Sequence, residues 1–298
     1  MQSPTHFYAR LMVVVILLLA LRGRAHSTTI AVLETKEGFV ILSDSKETPE
    51  RLNQTTCRGD VKKVFIVQNK FAVFATGMAC VHGTYRDNGV ISEIDYDING
   101  AWIQELQSGL PKNVTLVQLV KSVKSKFSSL PPKLQGSITS GKIPHSDPLN
   151  VFESFLTLVI VGYDDGFPAV CVLKFYIDWY AQRFIEVPPI PVDFQPPNRY
   201  MGFHIFGYSE AVTDILNPKS YAYGQAMTAC PKAFGDYTSG RPVSLDEAAS
   251  IGRVMIQIEE KVSPNNVGGQ ILGVQIMASG RATELPLLSS KAHPRKQE

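Results

Sequence analysis

The sequence predicts a single layered domain of the α+β class. Strand-like hairpins open the chain after residue 27, two helical segments follow, and further strands, a long helix and a closing strand come last. Strands joined by short turns pair antiparallel, whereas parallel strands need a long crossover between them, usually a helix. The order of elements therefore favours antiparallel sheets covered by helices over a parallel βαβ array. The sequence shows no internal repeat and no boundary of a second domain.

The predicted strands are short apolar or β-branched runs bounded by turn residues. They are residues 28–33, 39–42, 64–67, 71–75, 155–162, 168–175, 181–187 and 268–277. Lys36-Glu37-Gly38 would close the first hairpin and Gln68-Asn69-Lys70 the second. Asp164-Asp165-Gly166 is expected to turn a third hairpin rather than to form an acid pair.

Apolar residues at helical spacing predict the helices. The first predicted helix covers residues 78–86, is interrupted near Asn88-Gly89 and resumes over residues 101–106. The other two cover residues 115–127 and 245–258. A capping box formed by Ser244 and Glu247 marks the start of the last helix. Residues 131–150 are predicted to be a Pro-, Gly- and Ser-rich excursion, and residues 188–197 a proline-rich connector.

Composition and charge indicate a globular protein. The 298 residues are 44% hydrophobic and 19% charged, and this length can bury a large core. Three of the 29 basic residues lie in the first 27 positions, so 26 remain against 27 acidic residues. With this near-equal balance, the chain lacks the excess of basic residues that is typical of a nucleic-acid-binding protein. The basic residues at 291–296 are typical of a solvated terminus.

Residues 1–27 have the pattern of a secretory signal peptide. Arg10 precedes an apolar run over residues 11–21, and small residues at Ala25 and Ser27 suit signal peptidase. The run is shorter than the roughly 20 residues that cross a bilayer, which disfavours a signal anchor. We expect cleavage between Ser27 and Thr28, export to a secretory or periplasmic location, and no membrane span afterwards. The domain would then cover residues 28–284 and a flexible tail residues 285–298.

Cysteines and histidines give little sign of a bound metal. The chain has no C-x-x-C pair, and disulfides and buried thiols are both compatible with the spacing of Cys57, Cys80, Cys171 and Cys230. The six histidines show no ligand spacing, so neither a metal nor another cofactor is expected. Asn53 and Asn113 begin glycosylation sequons, which would be used only in a eukaryotic secretory pathway.

Cleavage before Thr28 would give this residue unusual chemistry. A threonine at the N-terminus combines a hydroxyl that can attack a carbonyl with a free α-amine that can take the proton. An α-amine has a pKa of about 7.7–8.0, so a large fraction is unprotonated near neutral pH. The other interpretation is that Thr28 is only a β-branched residue at the start of a first strand.

The residues that follow Thr28 favour the chemical interpretation. The segment begins Thr28-Thr29-Ile30-Ala31-Val32 and ends Ser43-Asp44-Ser45-Lys46-Glu47-Thr48. It resembles the opening of proteasome β-type subunits and their bacterial relative, which share a first-residue threonine and a D-S-R-A-T-like segment. By this resemblance Asp44 falls at the family's catalytic aspartate. Thr48 falls at the threonine whose backbone pairs with substrate.

The interval from Lys63 to Gly77 also resembles this family. It matches the interval between the family's catalytic lysine and its oxyanion-hole glycine, so those roles are implied for Lys63 and Gly77. Ala79 falls on a small residue that flanks bound substrate in the family. Ala75 falls where the family varies its S1 pocket, and a small residue there implies a roomy pocket without a charge preference.

The later part of the chain resembles the family less closely. Residues 244–262 resemble its late helix, and Gly268-Gly269 resembles the start of its closing strand. Residues 206–209 resemble a G-S-G-S segment that supplies a supporting serine. The resemblance implies that this serine is Ser209, with Ser220 as the rival assignment.

Two departures from the family pattern bear on activity. Pro264 and Val267 stand where the family has a supporting aspartate and serine. Ser27 precedes Thr28, whereas proteasome β precursors usually have glycine there and cleave themselves. Signal-peptide removal at the same bond would replace that self-cleavage.

The resemblance implies a four-layer α-β-β-α sandwich of the N-terminal-nucleophile (Ntn) hydrolase class. It also implies a threonine-type peptidase that works through an acyl-threonine intermediate. A small-amide hydrolase using the same residues is an alternative, and so is an inactive secreted structural or binding protein. Partners would be a peptide or amide substrate and, as in the family, further copies or related subunits. Insertions near residues 87–100, 131–154 and 219–238 leave that assembly open.

Overall fold

The computed structural model describes residues 28–46, 62–77, 80–87, 90–97, 102–127, 151–192, 203–207, 209, 211–264 and 267–286. The predictions on the signal peptide, Thr48, Asn53, Cys57 and Ala79 lie outside these residues, as does the whole excursion over residues 131–150. In the described part of the chain, no helix is both long enough and apolar enough to cross a membrane.

Strands and helices alternate in blocks along the chain. The strands are β1 (Thr29–Thr35), β2 (Gly38–Asp44), β3 (Val64–Val67), β4 (Phe71–Gly77), β5 (Cys80–Asp87), β6 (Val90–Asp97), β7 (Phe152–Asp164), β8 (Phe167–Asp178), β9 (Arg183–Val192), β10 (Phe203–Gly207), β11 (Ile271–Met277) and β12 (Ala282–Glu284). The helices are α1 (Ile103–Ser108), α2 (Leu116–Phe127), α3 (Tyr221–Ala229), α4 (Pro231–Thr238) and α5 (Leu245–Val262).

The strands form two five-stranded antiparallel sheets and a separate hairpin. The first sheet has the order β10-β1-β2-β11-β12, and the second has the order β3-β4-β7-β8-β9. Strands β5 and β6 pair only with each other among the described strands. The α+β class with antiparallel sheets, predicted from the order of elements, is confirmed.

Alternation along β1 shows how the layers pack. Ala31 and Leu33 join an apolar cluster shared with α3, α4 and α5. Ile30 and Val32 point to the opposite face, where they meet residues of the second sheet such as Phe74. The far face of the second sheet packs on α1 and α2. Because side chains alternate between the faces of a strand, the packing order is helices, sheet, sheet, helices.

Most of the predicted elements are confirmed. Both N-terminal hairpins, the three strands β7–β9, helix α2 and the start of β11 at Ile271 appear close to their expected positions. Gln68 and Asn69 have φ of 54° and 53°, the pair of positive values at the centre of a type I′ turn, and the Lys70 N–H closes that turn by donating to the Val67 carbonyl at 3.1 Å. Ser244 and Glu247 form the predicted capping box at the start of α5.

The helix predicted over residues 78–86 is wrong. Strand β5 covers most of that range and pairs antiparallel with β6, with His82 opposite Asp95 and Tyr85 opposite Ser92. In the sequence the two strands are separated by Asn88-Gly89, which lie outside the described residues; such a pair is strongly favoured in hairpin turns. The prediction treated this pair as a helix break and overlooked that signal.

Five described elements were not predicted. They are the strands β6, β10 and β12 and the helices α3 and α4. In addition, β9 extends to Val192, into the predicted proline-rich connector. Prolines are tolerated there because β9 lies at the edge of its sheet, where fewer backbone N–H groups are needed.

A half-buried carboxyl group lies beside the apolar layer between the sheets. Glu34 follows Ile30 and Val32 on the same face of β1, and Tyr163 packs against this layer from β7. Burial raises the pKa of Glu34 to about 7. Burial, and then the charge of Glu34, raises the pKa of Tyr163 to about 12. Deprotonation of Glu34 is therefore unfavourable for the folded state.

We expect the protein to lose stability as the pH rises through about 7. Between the ordinary pKa of 4.5 and the folded value of about 7, the folded state holds a proton that the unfolded state releases. The free energy of unfolding in urea should therefore be lower at pH 8 than at pH 5. Glu34→Gln should flatten this dependence, and Asp165→Asn, at an exposed turn, should keep it. An unchanged slope in Glu34→Gln would contradict the assignment.

Candidate active site

The strand pairing brings the ends of six strands together at one end of the two sheets. In the first sheet, β1 begins where β2 and β10 end and where β11 begins, since Ile30 pairs with Ser43 and Thr29 with Gly207. In the second sheet, β3 begins where β4 ends. An ion pair between Lys63, just before β3, and Asp44, at the end of β2, joins the two sheets at this end.

Asp44 and Lys63 form a fully buried ion pair. The Lys63 Nζ lies 3.1 Å from Asp44 Oδ2, and the side chains are 1% and 0% exposed, respectively. Lys63 Nζ also donates to the backbone carbonyl of Lys46. The Thr29 backbone N–H donates to Asp44 Oδ1 at 2.8 Å, and that of Gly268 donates to Oδ2 at 3.4 Å.

Burial and hydrogen bonding act on the Asp44 carboxyl in opposite directions. Burial raises the pKa of Asp44 above its ordinary value, and the charge of Lys63 together with the Thr29 and Gly268 N–H groups acts to lower it. A buried carboxylate is tolerated only when it is paired and hydrogen bonded. The four contacts therefore hold both side chains in one arrangement directly beside Thr28.

The segment after α5 supports this pair through its backbone. Lys46 donates its N–H to the Gly268 carbonyl at 3.0 Å, and its ammonium group donates to the Pro264 carbonyl. Val267 is fully buried in the cluster between the first sheet and the C-terminal helices. The side chains of Pro264 and Val267 thus offer no hydrogen-bonding group where the resembled family has an aspartate and a serine.

Thr28 directly precedes β1 and is 8% exposed. Its backbone carbonyl packs against Gly207 at the end of β10, so closely that a Cβ on Gly207 would lie 1.7 Å from the Thr28 oxygen. Gly207 also has φ of +83°, which glycine adopts without strain. Only glycine fits beside Thr28 at this position.

Gly77 ends β4, opposite Leu156 on β7. Its φ is +91°, and a Cβ would lie 2.5 Å from the Phe155 carbonyl oxygen. Glycine is therefore required by the backbone at the position where the sequence predicts an oxyanion donor.

The remaining predicted site residues occupy different surroundings. Ala75 is buried in the apolar cluster between the second sheet and the helices α1 and α2. Ser209 follows the end of β10, next to the start of β1, and its carbonyl accepts hydrogen bonds from Thr213. Ser220 caps α3 by accepting from the Tyr223 N–H at 3.0 Å. The sequon residue Asn113 is exposed.

Sequence reasoning missed two residues that lie close to Thr28. Gly207 was noted only as part of a loose match, although its contact with the Thr28 carbonyl makes it essential to the local packing. Thr76 lies on the face of β4 that carries Ala72 and Phe74 into the layer between the sheets. Its Cγ2 is 3.6 Å from the place a Cβ would take on Gly207.

Metal-binding groups and paired cysteines do not contribute to the described part of this site. Within the described ranges, no three His, Cys, Asp or Glu side chains gather closely enough to hold a metal ion. Cys171 and Cys230 are free thiols, the first buried and the second half-buried. The chemistry available here is that of threonine, lysine, aspartate and backbone N–H groups.

Comparisons with known proteins find similarity only among solved structures. No protein-family model matches the sequence, and no curated protein sequence does. The chain is similar to Anbu, an ancestral β-subunit, from Yersinia bercovieri, with 14% identity and a TM-score of 0.39 over 87% of each chain.

Two structures of Anbu from Hyphomicrobium sp. strain MC1 give comparable values. A Gly-1 mutant has 14% identity and a TM-score of 0.44, over 89% of this chain and 90% of the other. A second structure has 12% identity and a TM-score of 0.40, over 89% and 88%. With every TM-score below 0.5, conclusions about function rest on the site itself.

We expect Lys63→Met to destabilise the protein strongly. Removing one partner of a buried ion pair leaves the other charge uncompensated, which typically costs about 3–5 kcal/mol. Lys62→Met is the matched control, because Lys62 is the adjacent residue and pairs with Glu284 at the surface. An exposed pair contributes about 0–1 kcal/mol. Urea unfolding should separate the two variants clearly, and equal losses would contradict the burial of the Lys63 pair.

We expect Gly207→Ala to be far more disruptive than Gly280→Ala. The two glycines have nearly the same φ, +83° and +81°, but a Cβ on Gly280 would meet no atom within 4 Å. Gly280→Ala should therefore cost only about 1–2 kcal/mol for the backbone conformation. In Gly207→Ala the new Cβ would also collide with the Thr28 carbonyl oxygen, which adds to this cost. Thermal unfolding of both variants is the measurement, and similar melting temperatures would refute the close approach.

Proposed function

We propose that this protein is an N-terminal threonine hydrolase, built on a four-layer α-β-β-α sandwich of the Ntn-hydrolase class. It would cleave peptide or amide bonds through an acyl-threonine intermediate. The observation that carries the proposal is the buried Lys63–Asp44 pair, hydrogen bonded to the backbone N–H of Thr29. A buried ion pair adds little net stability, so its position beside Thr28 favours a role in chemistry.

The reaction would begin after residues 1–27 are removed. The Thr28 hydroxyl attacks the substrate carbonyl and passes its proton to the α-amine, which then protonates the leaving amine. The positive charge of Lys63 lowers the proton affinity of the hydroxyl, and Asp44 keeps that charge oriented. The Gly77 N–H would stabilise the oxyanion, where one such donor is typically worth about 2.7–4 kcal/mol.

The substrate is proposed to bind as an extended strand. Thr48 and Ala79 would pair with its backbone through β-augmentation, and Ser209 would support Thr28 from the end of β10. Secretion through the signal peptide would deliver the protein outside the cytoplasm and expose the nucleophile in one step. We also propose that the protein associates with further copies of itself or with related subunits. Light scattering would measure the mass of that assembly.

One observation favours a competing function. The side chains at Pro264 and Val267 cannot supply the hydrogen bonds that the family's aspartate and serine supply, and Val267 lies in the core. A secreted binding protein that keeps the fold without activity would tolerate this loss. The two functions differ in whether Thr28 reacts.

We expect a peptide vinyl sulfone to label Thr28 covalently. The hydroxyl oxygen adds across the reagent's double bond and the proton moves to the adjacent carbon, so intact mass should rise by the full reagent mass. Peptide mapping should place the adduct on the N-terminal peptide. Thr28→Ala should abolish labelling, and Thr28→Ser should keep it because a hydroxyl remains next to the α-amine.

The control for specificity is Thr35→Ser, a buried threonine at the other end of β1. It should be labelled as fast as the unmodified protein. Labelling that persists in Thr28→Ala, or no labelling of a correctly folded protein that begins at Thr28, would favour the binding protein instead.

A further inference from the structure

Ser43 carries a buried hydroxyl group that has no part in the reaction described above. The residue is 0% exposed on β2, one position before Asp44. Its Oγ meets no hydrogen-bond partner among the residues that the structure describes. Buried polar side chains are nearly always hydrogen bonded, and the exceptions call for an explanation.

The face of β2 that carries Ser43 is the face toward the second sheet. Phe39 and Ile41 precede it on the same face, and both pack in the layer between the sheets. Thr28 directly precedes β1 and lies two residues before Ile30, so the same alternation places it in line with the face that Ile30 and Val32 share. Ser43 and Thr28 are therefore both directed into the space between the sheets at the site end.

The register fixes how far apart these two residues stand. Ser43 pairs with Ile30, and Thr28 lies two residues before Ile30, so Ser43 and Thr28 are diagonal neighbours. Diagonal neighbours in an antiparallel pair are separated by about 7–8 Å between Cα atoms, and somewhat less between Cβ atoms. Ser43 Oγ makes no hydrogen bond to Thr28 or to any other described residue. The gap suits one bridging water, which links oxygens about 5–6 Å apart.

We propose that Ser43 is a positioning residue for the second half of the reaction, and that its hydroxyl orients the water that hydrolyses the acyl-threonine. The inference rests on the proposed function, because the acyl-threonine forms only if Thr28 is the nucleophile. The water would have a second partner in the α-amine of Thr28, and a water needs two or more such partners to be held.

The step balances without any further reactant. The water oxygen adds to the acyl carbon while one of its protons passes to the α-amine of Thr28. The tetrahedral intermediate then collapses, the bond between the acyl carbon and Thr28 Oγ1 breaks, and the ammonium returns the proton to that oxygen. The products are a carboxylic acid and free Thr28. Ser43 accepts a hydrogen bond from the water and is itself unchanged.

The test separates formation of the acyl-threonine from its hydrolysis. It uses protein secreted from the full-length chain and N-acetyl-phenylalanine p-nitrophenyl ester, an activated ester whose fast acylation makes hydrolysis the slow step. In Ser43→Ala we expect one equivalent of p-nitrophenol to be released rapidly, followed by turnover slower by about tenfold, the effect of losing one hydrogen bond. Intact mass should show the acetyl-phenylalanyl adduct accumulating, and peptide mapping should place it on the N-terminal peptide.

Two matched measurements exclude a structural role. The rate of labelling by the vinyl sulfone should be unchanged in Ser43→Ala, since that reaction needs only the first attack. Its urea midpoint should also be unchanged, because the variant removes a hydroxyl that has no partner in the described structure. Ser43→Thr keeps the hydroxyl and should restore hydrolysis.

Each outcome decides between the two proposals. Any of three results in Ser43→Ala would overturn the role of Ser43 alone. They are turnover as fast as in the unmodified protein, a parallel loss of labelling and turnover, and failure of this variant to fold. Absence of vinyl sulfone labelling at Thr28 in the unmodified protein would overturn the proposed function, and the role of Ser43 with it.

Discussion

The buried ion pair between Lys63 and Asp44 is the interaction on which the candidate site depends. Asp44 ends a strand of the first sheet and Lys63 precedes a strand of the second, so the pair fixes the two sheets relative to each other at this end. Neither charge can turn to solvent, and the Thr29 and Gly268 N–H groups complete the carboxylate's contacts. The start of β1, and with it Thr28, is thereby held beside a fixed positive charge.

Close backbone packing completes the positioning of Thr28. The last residue of β10, Gly207, approaches the Thr28 carbonyl at a distance that excludes any side chain. The layers behind the site are apolar on both faces of each sheet, which makes this end of the molecule rigid. Support that the resembled family obtains from side chains comes here from the backbone of the segment around Gly268. The site is therefore built mainly from strand ends and main-chain donors.

Local patterns predicted much of the fold, and contacts distant in sequence account for the rest. Apolar and β-branched runs bounded by turn residues predicted the hairpins of β1–β4, and the capping box at Ser244 predicted the start of α5. The helix predicted over residues 78–86 is wrong because this range also holds residues that suit a strand, and the pairing of β5 with β6 is a contact that helical spacing does not reveal. Strand β10 is five residues long, with a histidine at its second position, and is too short for a clear periodic signal.

The same distinction applies to the site. The resemblance to proteasome β-type subunits implied that Asp44 and Lys63 act together, and the structure brings their side chains into contact. The importance of Gly207 follows only from strand register, because it lies far from Thr28 in sequence and its contact is with a backbone carbonyl. Ser43 likewise became notable only once its face of β2 and its lack of a described partner were known.

The proposed chemistry requires that Thr28 is released as the first residue of the working protein. The N-terminal sequence of the protein secreted from the full-length chain, read by tandem mass spectrometry, tests this requirement. We expect a terminal peptide that begins Thr28-Thr29-Ile30 and carries a free α-amine. A secreted, folded protein in which Thr28 is still joined to Ser27 would contradict it.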